Sequence, residues 1–455
     1  MRRLFGTDGV RGIANTDLTA ERALSIGRAI ATVLSGKKQK GISVIVGYDT
    51  RQSSEMLAAA LSAGLSSGGA SVTILGVLPT PAVAYLVTKQ KRTAGVMISA
   101  SHNSFEYNGI KVFGGDGKKL PDELEMRIES IVLDEEPPPR AAEASEVGRI
   151  SLAAGAAEDY LSHLRAAIPS RLDGMRIGVD CANGVTSFLA EGLFSSLGAE
   201  CYVLSSSPDG KNINLKCGST DLSNLSRLVV SKHLDLGVAF DGDADRCLAV
   251  DENGEEIDGD KMMALFALDM KERGALKHDT VVGTVMTNLG FSVFCKKNGI
   301  GFIPAKVGDR YVLEAMDLEG LSFGGEQSGH IIFRDAATTG DGLLTAGRLL
   351  SLVRAKGKML SELASVMKRY PQYLKNLTVT PEEKLAFFTD QEITAIVKET
   401  EKQLGDRGRL VVRPSGTEPY LRVMIEGEDE KTIKEMTERV SEQIRERLLS
   451  YRKEQ

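Results

Sequence analysis

The chain has 455 residues, 42% of them apolar and 26% charged, with a formal net charge of −6. This suits a globular protein of about three domains at roughly 150 residues each, and the acidic balance argues against a nucleic-acid or anionic-membrane partner. Five scattered cysteines (Cys181, Cys201, Cys217, Cys247, Cys295) form no CxxC pair, which excludes a disulfide framework or a zinc site; with no apolar h-region in MRRLFGTDGVRG and no run near the ~18 apolar residues of a membrane span, the expected location is the cytoplasm.

Taken in order, FGTDGVRG (5–12) packs three glycines beside Asp8 and Arg11. Glycine permits close backbone approach and Arg11 can reach an anion, although a mobile N-terminal turn reads the same. Residues 18–34 place apolar side chains at helical spacing behind Asp17 and Thr19, both N-cap types. A pattern then repeats three times. The first copy has a strand over 42–47, a helix over 54–67 stopped by Gly68-Gly69, a strand over 71–77 and, after further helix, a strand over 95–98. The second has a strand over 176–180, a helix over 187–197 stopped by Gly198, and strands over 200–204 and 236–240. The third has a strand over 280–286, a helix over 289–297 stopped by Gly299, and strands over 301–304 and 321–323. Glycine at the position after a helix takes the left-handed conformation without penalty. Strand–helix–strand alternation marks a parallel α/β layer, whose ligands sit beyond the carboxyl ends of the strands. A period near a hundred residues is a triplicated domain, not a solenoid. DEEPPPR (134–140) reads as a surface connection, and after Lys368 the pattern changes to strands over 410–412 and 421–425 with a helix over 429–449. The fold class is therefore α/β, three related domains plus a smaller α+β domain, with expected boundaries 1–152, 153–255, 256–367 and 368–455.

Each copy ends in a polar cluster. The first is Ile98-Ser99-Ala100-Ser101-His102-Asn103, where a buried strand opens into a loop. Ser101 stands where a covalent nucleophile would, with a serine-rich turn as the plain alternative and Ser99 as a competing hydroxyl. A Ser-His-Asp hydrolase is disfavoured, because chain neighbours rarely orient as nucleophile and base and no GxSxG is present. The second cluster is Asp241-Gly242-Asp243-Ala244-Asp245-Arg246. In an extended segment alternate residues share a face, so three carboxylates can converge on one hard cation such as magnesium. An EF-hand loop is the rival, but Arg246 replaces its turn glycine and the flanks read as strands; a surface acidic loop is another. The third is Gly324-Gly325-Glu326-Gln327-Ser328-Gly329-His330, where Glu326 and Ser328 alternate to one face and can bond a sugar's vicinal hydroxyls, with His330 beside them or acting as an acid/base. A hairpin turn is the alternative. In the tail, Arg413-Pro414-Ser415-Gly416-Thr417 combines an arginine, two hydroxyls and amide N–H groups into an anion nest. His163, His233 and His278 show no metal spacing and read as structural. Together the parts fit phosphoryl transfer on a phosphorylated sugar.

ISASHN with NGIK (108–111), DGDADR, GEQSGH and RPSGTEP, in that order, resemble the α-D-phosphohexomutase superfamily over essentially the whole chain. FGTDGVRG, VGDRYV (307–312) and GEQSGH look most like its bacterial glucosamine-phosphate branch. The resemblance implies four domains around one central cleft, the first three with related mixed sheets. It implies a phosphoserine at Ser101, which also faces the metal, with Mg2+ held by Asp241, Asp243 and Asp245. It gives sugar contacts to Glu326 and Ser328 and phosphate contacts to Arg413, Ser415, Gly416 and Thr417. His102, Arg246 and Asp309 are further substrate-binding candidates, and Arg11, Lys111 and His330 are the acid/base and charge-stabilising candidates. The implied activity interconverts glucosamine 6-phosphate and glucosamine 1-phosphate through a sugar 1,6-bisphosphate, for UDP-N-acetylglucosamine and cell-wall synthesis. The partner is a phosphosugar, with no nucleic acid or membrane, and a homodimer is compatible with it. Alternatives are a phosphomannomutase/phosphoglucomutase and a non-catalytic sugar-phosphate sensor. Two departures stand out: Ser104 follows Asn103 where the family commonly has proline, which puts loop rigidity in question, and Asp309 stands where related phosphomannomutase/phosphoglucomutase enzymes tend to carry histidine.

Overall fold

The structure, a computed structural model, describes residues 3–6, 8–35, 41–415 and 419–453. One strand arrangement occurs three times. In the first sheet Ser43–Tyr48 lies between two parallel neighbours, Ser71–Val77 and Ala94–Ile98, and Tyr107–Gly114 runs antiparallel beyond the latter. In the second, Arg176–Asp180 lies between Glu200–Leu204 and Leu236–Phe240, with Cys247–Val250 antiparallel outside. In the third, Thr280–Thr284 lies between Gly301–Ala305 and Phe323–Gly325, with Ile331–Phe333 antiparallel outside. Each functional cluster is the connection between the third, parallel strand and the fourth, antiparallel one. The third strands of the first two sheets, AGVMI and LGVAF, are buried at every residue. Continuous apolar runs of this kind are what a sheet covered on both faces demands, so these loops are held at the ends of rigid elements.

The first sheet is extended at one edge by Phe5–Gly6 and Gly9–Ile13 and at the other by Ile150–Leu152, making seven strands. Within FGTDGVRG, Phe5–Gly6 pairs antiparallel with Gly9–Ile13, which in turn pairs antiparallel with Tyr107–Gly114 and carries Arg11. The helices Ala20–Ser35 and Ser54–Ser67 cross at reciprocal glycines. A Cβ on Gly64 would lie 2.1 Å from the Leu24 carbonyl oxygen, and one on Gly27 would lie 2.3 Å from that of Leu61. A single core cluster joins the second and third units and reaches the first through Val83, Met97 and Phe113.

Several expected elements differ in detail. The helix expected over 187–197 is broken into a 3-10 turn, Val185–Phe188, and an α-helix, Ala190–Ser196, because Leu189 at φ −127° leaves the helical region. The strand expected over 280–286 ends at Thr284, whose N–H is taken by Thr287 Oγ1 at 3.0 Å. The strand expected over 321–323 is Phe323–Gly325, so it runs into the glycine pair. The C-terminal unit is a three-stranded antiparallel sheet, Gln372–Thr378, Tyr420–Gly427 and Gly408–Pro414, with Tyr420–Gly427 central. It packs against Gln391–Leu404 and Glu430–Lys453 around Ile393, Leu421, Val423, Val440 and Ile444. Among the described residues no helix is long and apolar enough to cross a membrane.

Candidate active site

The chain leaves the buried strand Ala94–Ile98 through Ser99, whose hydroxyl is fully engaged. It donates to Asp49 Oδ2 at 2.7 Å and accepts the Ser101 N–H at 2.9 Å. Ser101 sits at φ 55°, in the left-handed region that non-glycine residues rarely enter. Its hydroxyl donates to Asp241 Oδ2 at 2.6 Å. The two serines therefore differ in kind: Ser99 braces the loop and Ser101 faces the carboxylates. His102 Nδ1 accepts from Arg246 Nη1 at 3.0 Å and lies 3.4 Å from Ser101 Oγ. Burial, aided by Arg246 and Arg11, pulls the His102 pKa down to about 4. A neutral ring whose Nδ1 meets an arginine and not a carboxylate is the opposite of a hydrolase triad base.

Asp241, Asp243 and Asp245 converge, with ligand atoms from all three within 4.8 Å of one another. They do so on a turn and not by the alternation of an extended segment, since Ala244 adopts φ 55° and its N–H returns to the Asp241 carbonyl at 3.1 Å. The flanks are strands, as required to reject an EF-hand, and the buried carboxylates reject a surface loop. Asp243 Oδ2 accepts from Thr80 Oγ1 at 2.5 Å and Lys111 Nζ at 2.9 Å, and Asp245 Oδ2 accepts from Lys111 Nζ at 3.2 Å. The remaining oxygens, Asp243 Oδ1 and Asp245 Oδ1, are buried without a hydrogen-bond partner. Burial, then the charges of Asp245 and Asp243, push the Asp241 carboxyl well above its ordinary range. Buried polar atoms are almost always satisfied, so two orphaned carboxylate oxygens beside a disfavoured carboxylate fit a hard divalent cation as the missing partner.

Cations surround this cluster. Lys111, on Tyr107–Gly114, is opposed by burial, but Asp243, Asp245 and Asp8 (3.3 Å) outweigh it and hold the amine well above its ordinary pKa. It is an ammonium, a charge stabiliser, not a base at neutral pH. Burial likewise opposes Arg246, but Asp245, Asp241 and Glu326 keep its guanidinium charged, and its backbone N–H donates to Asp241 Oδ1 at 3.2 Å. Arg11 pairs with Asp8 and donates to Asn103 Oδ1 at 3.2 Å, which ties it to the Ser101 loop. The His330 ring lies 3.8 Å from Asp245 Oδ1 through Nδ1, while Nε2 accepts the Gly340 N–H at 3.0 Å and stands 3.7 Å from Asp309 Oδ2. Burial disfavours its charge, but Asp245, Asp309 and Glu326 outweigh this and raise its pKa. When neutral it carries its proton on Nδ1, towards Asp245.

Glu326, Ser328 and His330 also lie on a turn, closed by the Gly329 N–H on the Glu326 carbonyl at 3.0 Å. Glu326 Oε1 accepts the Gly308 N–H at 3.1 Å, and Ser328 Oγ is buried without a partner. Asp309, at the start of the helix Asp309–Leu318, receives Lys119 Nζ on both oxygens at 2.9 and 2.6 Å, and Lys119 continues to Asp8 Oδ1 at 2.6 Å. Asp8 and Lys119 are thus parts of the site that sequence reasoning missed, together with Thr80. Asp8 lay inside the FGTDGVRG motif, whereas Lys119 and Thr80 carry no local signal. The structure gathers Arg11, Ser101, His102, Lys111, Asp241, Asp243, Asp245, Arg246, Asp309, Glu326 and His330 into one network. Arg413 and Ser415 lie apart, in the fourth sheet. Arg413 stands directly across from Arg422, and its Nε is buried without a partner. The Ser415 N–H is already bonded to the Tyr420 carbonyl at 2.8 Å, so that amide is not free for an anion. Gly416 and Thr417 lie outside the described residues.

The chain matches four family models in succession: phosphoglucomutase/phosphomannomutase alpha/beta/alpha domain I over 2–138, domain II over 158–254, domain III over 258–370 and the C-terminal domain over 374–443. It is 48% identical over 448 residues to a phosphoglucosamine mutase of Acetivibrio thermocellus, covering 98% of this chain and 100% of that one. It is 52% identical over 436 residues to that of Clostridium botulinum strain Alaska E43, covering 96% and 97%. A crystal structure of a phosphoglucomutase/phosphomannomutase family protein from Burkholderia thailandensis superposes with a TM-score of 0.82 at 22% identity over 98% of this chain and 97% of that one, a likeness of fold. Identity near one half over almost the full length, carried by all four domains in order, shows that the chain belongs to the phosphoglucosamine mutase family within the phosphoglucomutase/phosphomannomutase group.

Proposed function

We propose that the chain interconverts glucosamine 6-phosphate and glucosamine 1-phosphate, with Ser101 as the phosphoryl carrier and a sugar 1,6-bisphosphate as the intermediate. The observation that carries this is the Ser101 hydroxyl aimed at Asp241 Oδ2 at 2.6 Å, inside a buried three-carboxylate cluster. Asp241, Asp243 and Asp245 would hold Mg2+, which supplies charge neutralisation for the transferring phosphoryl group. The residues of the chain do the rest. Lys111 and Arg246, both held charged, face the oxygens on which negative charge grows. In the forward transfer the bond between phosphorus and Ser101 Oγ breaks as a sugar hydroxyl oxygen bonds to phosphorus; the hydroxyl proton leaves, and Oγ recovers one and returns to Asp241. His330, raised in pKa and turned to Asp245, is the group we assign to that proton balance. Glu326, Ser328, His102 and Asp309 orient the sugar. Arg413, with Ser415, Gly416 and Thr417, holds the phosphate that is not being transferred; a guanidinium whose Nε is buried without a hydrogen-bond partner supports this. The two transfers then require the bisphosphate to reverse in the cleft, so that the opposite phosphate returns to Ser101. We place the units at 1–152, 153–255, 256–367 and 368–455; the edge strand Ile150–Leu152 on the first sheet supports the first boundary.

The test is mass spectrometry of peptide 93–111 from the purified chain, with turnover of Ser101→Ala. Phosphate on Ser101 and loss of turnover are expected. Phosphate on Ser99 alone, or near-normal mutase activity in Ser101→Ala, refutes the assignment.

A further inference from the structure

Ser101 pays a conformational penalty at φ 55°, and its loop lacks the proline that would stiffen it. Something else must hold it. Arg51 and Asn214, neither of them in the charged network, close on the same two carbonyl oxygens from different units. Arg51 follows the strand Ser43–Tyr48, and its side chain is wholly buried with Asp49. Its Nε donates to Asp49 Oδ2 at 2.8 Å. Its Nη2 donates to the carbonyls of Ser101 at 2.9 Å and Asn103 at 2.8 Å, and its Nη1 to those of Tyr107 at 3.0 Å and Ser104. All five N–H groups of the guanidinium are used, four on one loop. Asp49 is itself fixed by Ser54 and Ser99, each at 2.7 Å. From the second unit, Asn214 Nδ2 donates to the carbonyls of Ser101 at 2.9 Å and Asn103 at 3.0 Å, and its own N–H is anchored on the Ala182 carbonyl at 2.9 Å. Gly242 completes the socket: a Cβ there would lie 2.7 Å from the Ser101 carbonyl oxygen.

We propose that Arg51 and Asn214 are positioning residues for phosphoryl transfer, a pair of donors from two units that grips the Ser101 and Asn103 carbonyls and aims Ser101 Oγ at Asp241. The grip holds the loop with hydrogen bonds. The hydrogen bonds of both side chains go to the loop carbonyls and to Asp49, not to Asp241, Asp243 or Asp245, so both act through the Ser101 loop. Because Asn214 belongs to the second unit together with Asp241, the same bonds register the nucleophile against the acidic turn across the boundary. The proposal rests on Ser101 being the phosphoryl carrier.

The experiment loads the full-length protein with glucose 1,6-bisphosphate and follows phosphate on Ser101 by rapid quench and mass spectrometry, alongside kcat, KM and heat unfolding. Arg51→Lys keeps the charge but cannot serve four carbonyls, and Asn214→Gly removes the amide while tolerating φ 59°. Misplacement of a reacting group by about 1 Å costs on the order of 100-fold. Loading should slow about 100-fold in Arg51→Lys and about tenfold in Asn214→Gly, with KM within about threefold and the Asn214→Gly unfolding midpoint unchanged. A merely structural role would move the midpoint and leave loading in the folded fraction untouched. Wild-type loading in Asn214→Gly overturns the proposal, and does so even where Arg51→Lys fails to fold. A rise in KM that accounts for the whole loss also overturns it, by making the pair substrate contacts. Absence of Ser101 phosphate in the wild type overturns the phosphoserine reading itself and the proposal with it, whereas wild-type loading with undiminished variant loading overturns the proposal alone.

Discussion

Asp243 divides its work between two oxygens. Oδ2 is satisfied by Thr80 and Lys111, and Oδ1 is buried without a partner. Asp243→Asn preserves shape but removes the charge that a hard cation requires. Magnesium affinity, read by calorimetric titration, should fall at least about tenfold, and turnover should fall with it while the unfolding midpoint holds. Normal activity at unchanged magnesium dependence would remove Asp243 from the proposed metal site. Arg413 is the contrasting residue, because its expected partner is present before, during and after transfer. Burial, then Arg422, lowers its pKa. Arg413→Ala should raise KM about tenfold or more with kcat changed by less than about threefold. Loss of kcat at constant KM would instead move Arg413 into the chemistry.

Two elements carry predictions of stability. The crossing of Ala20–Ser35 over Ser54–Ser67 leaves no room for a methyl group, since a Cβ on Gly64 meets a backbone oxygen at 2.1 Å and backbone cannot rotate away. Helix propensity alone would make Gly64→Ala stabilising by about 1 kcal/mol, but overpacking costs about 1–3 kcal/mol or more. With backbone as the obstacle the cost sits at the upper end, about 3 kcal/mol, so the steric effect wins and denaturant unfolding should show a net loss of about 2 kcal/mol. A gain in stability would mean that the helices separate freely. The second element is the helix Gln391–Leu404, capped by Asp390, which accepts from the Ile393 N–H at 2.8 Å, Arg447 at 2.7 Å and the Tyr451 hydroxyl at 2.6 Å. Burial opposes the charge, but these donors outweigh it and draw the pKa down to about 2. A carboxylate depressed in the folded state stabilises fully above its unfolded value near ~4 and loses that contribution as pH falls towards about 2. Asp390→Asn should therefore lower the unfolding temperature of the C-terminal unit at pH 7, by an amount equivalent to about 2 kcal/mol, and flatten its dependence between about pH 4 and 2. Calorimetry at pH 7 and pH 3 decides this; an unchanged acid slope would mean that other carboxylates govern it.

Across the whole molecule, the site is an assembly and not a property of one domain. The first unit gives Ser101, Lys111 and Lys119, the second gives the aspartates, and the third gives Asp309 and His330. The His330 ring stands between Asp245 and Asp309, and Lys119 pairs Asp309 with Asp8. Behind it Arg310 reaches back to Glu125 at 2.7 Å, pinning the third unit to the first. A half-buried carboxylate at Asp309, held by Lys119 on both oxygens, makes this cleft unlike one with histidine there. The expected consequence is a kcat/KM for glucosamine 6-phosphate at least about tenfold above that for glucose 6-phosphate or mannose 6-phosphate. Equal values would place the chain among broad-specificity hexose-phosphate mutases.

The triplication, the strand that presents each functional loop and the polar clusters holding the two serines, the three aspartates and Glu326 were legible in the chain, because apolar periodicity and glycine stops are local and the clusters follow them directly. Helix 54–67, strand 71–77 and helix 289–297 agree with the structure to the residue. The shapes of the loops were not legible. Asp241 to Asp245 and Glu326 to His330 form turns where alternation would have drawn strands, since positive φ at Ala244 depends on what packs around it. Long-range partners were invisible for the same reason. Lys119 meets Asp309 across 190 residues, Thr80 meets Asp243 across 163, and Asn214 meets Ser101 across 113. The choice between Ser99 and Ser101 also belonged to tertiary structure, because only Asp49 on one side and Asp241 on the other give the two hydroxyls different work. Residue types and spacings determine which chemistry is available; the electrostatics of burial, set by the packing of separate units, determine which groups carry charge and where each proton sits.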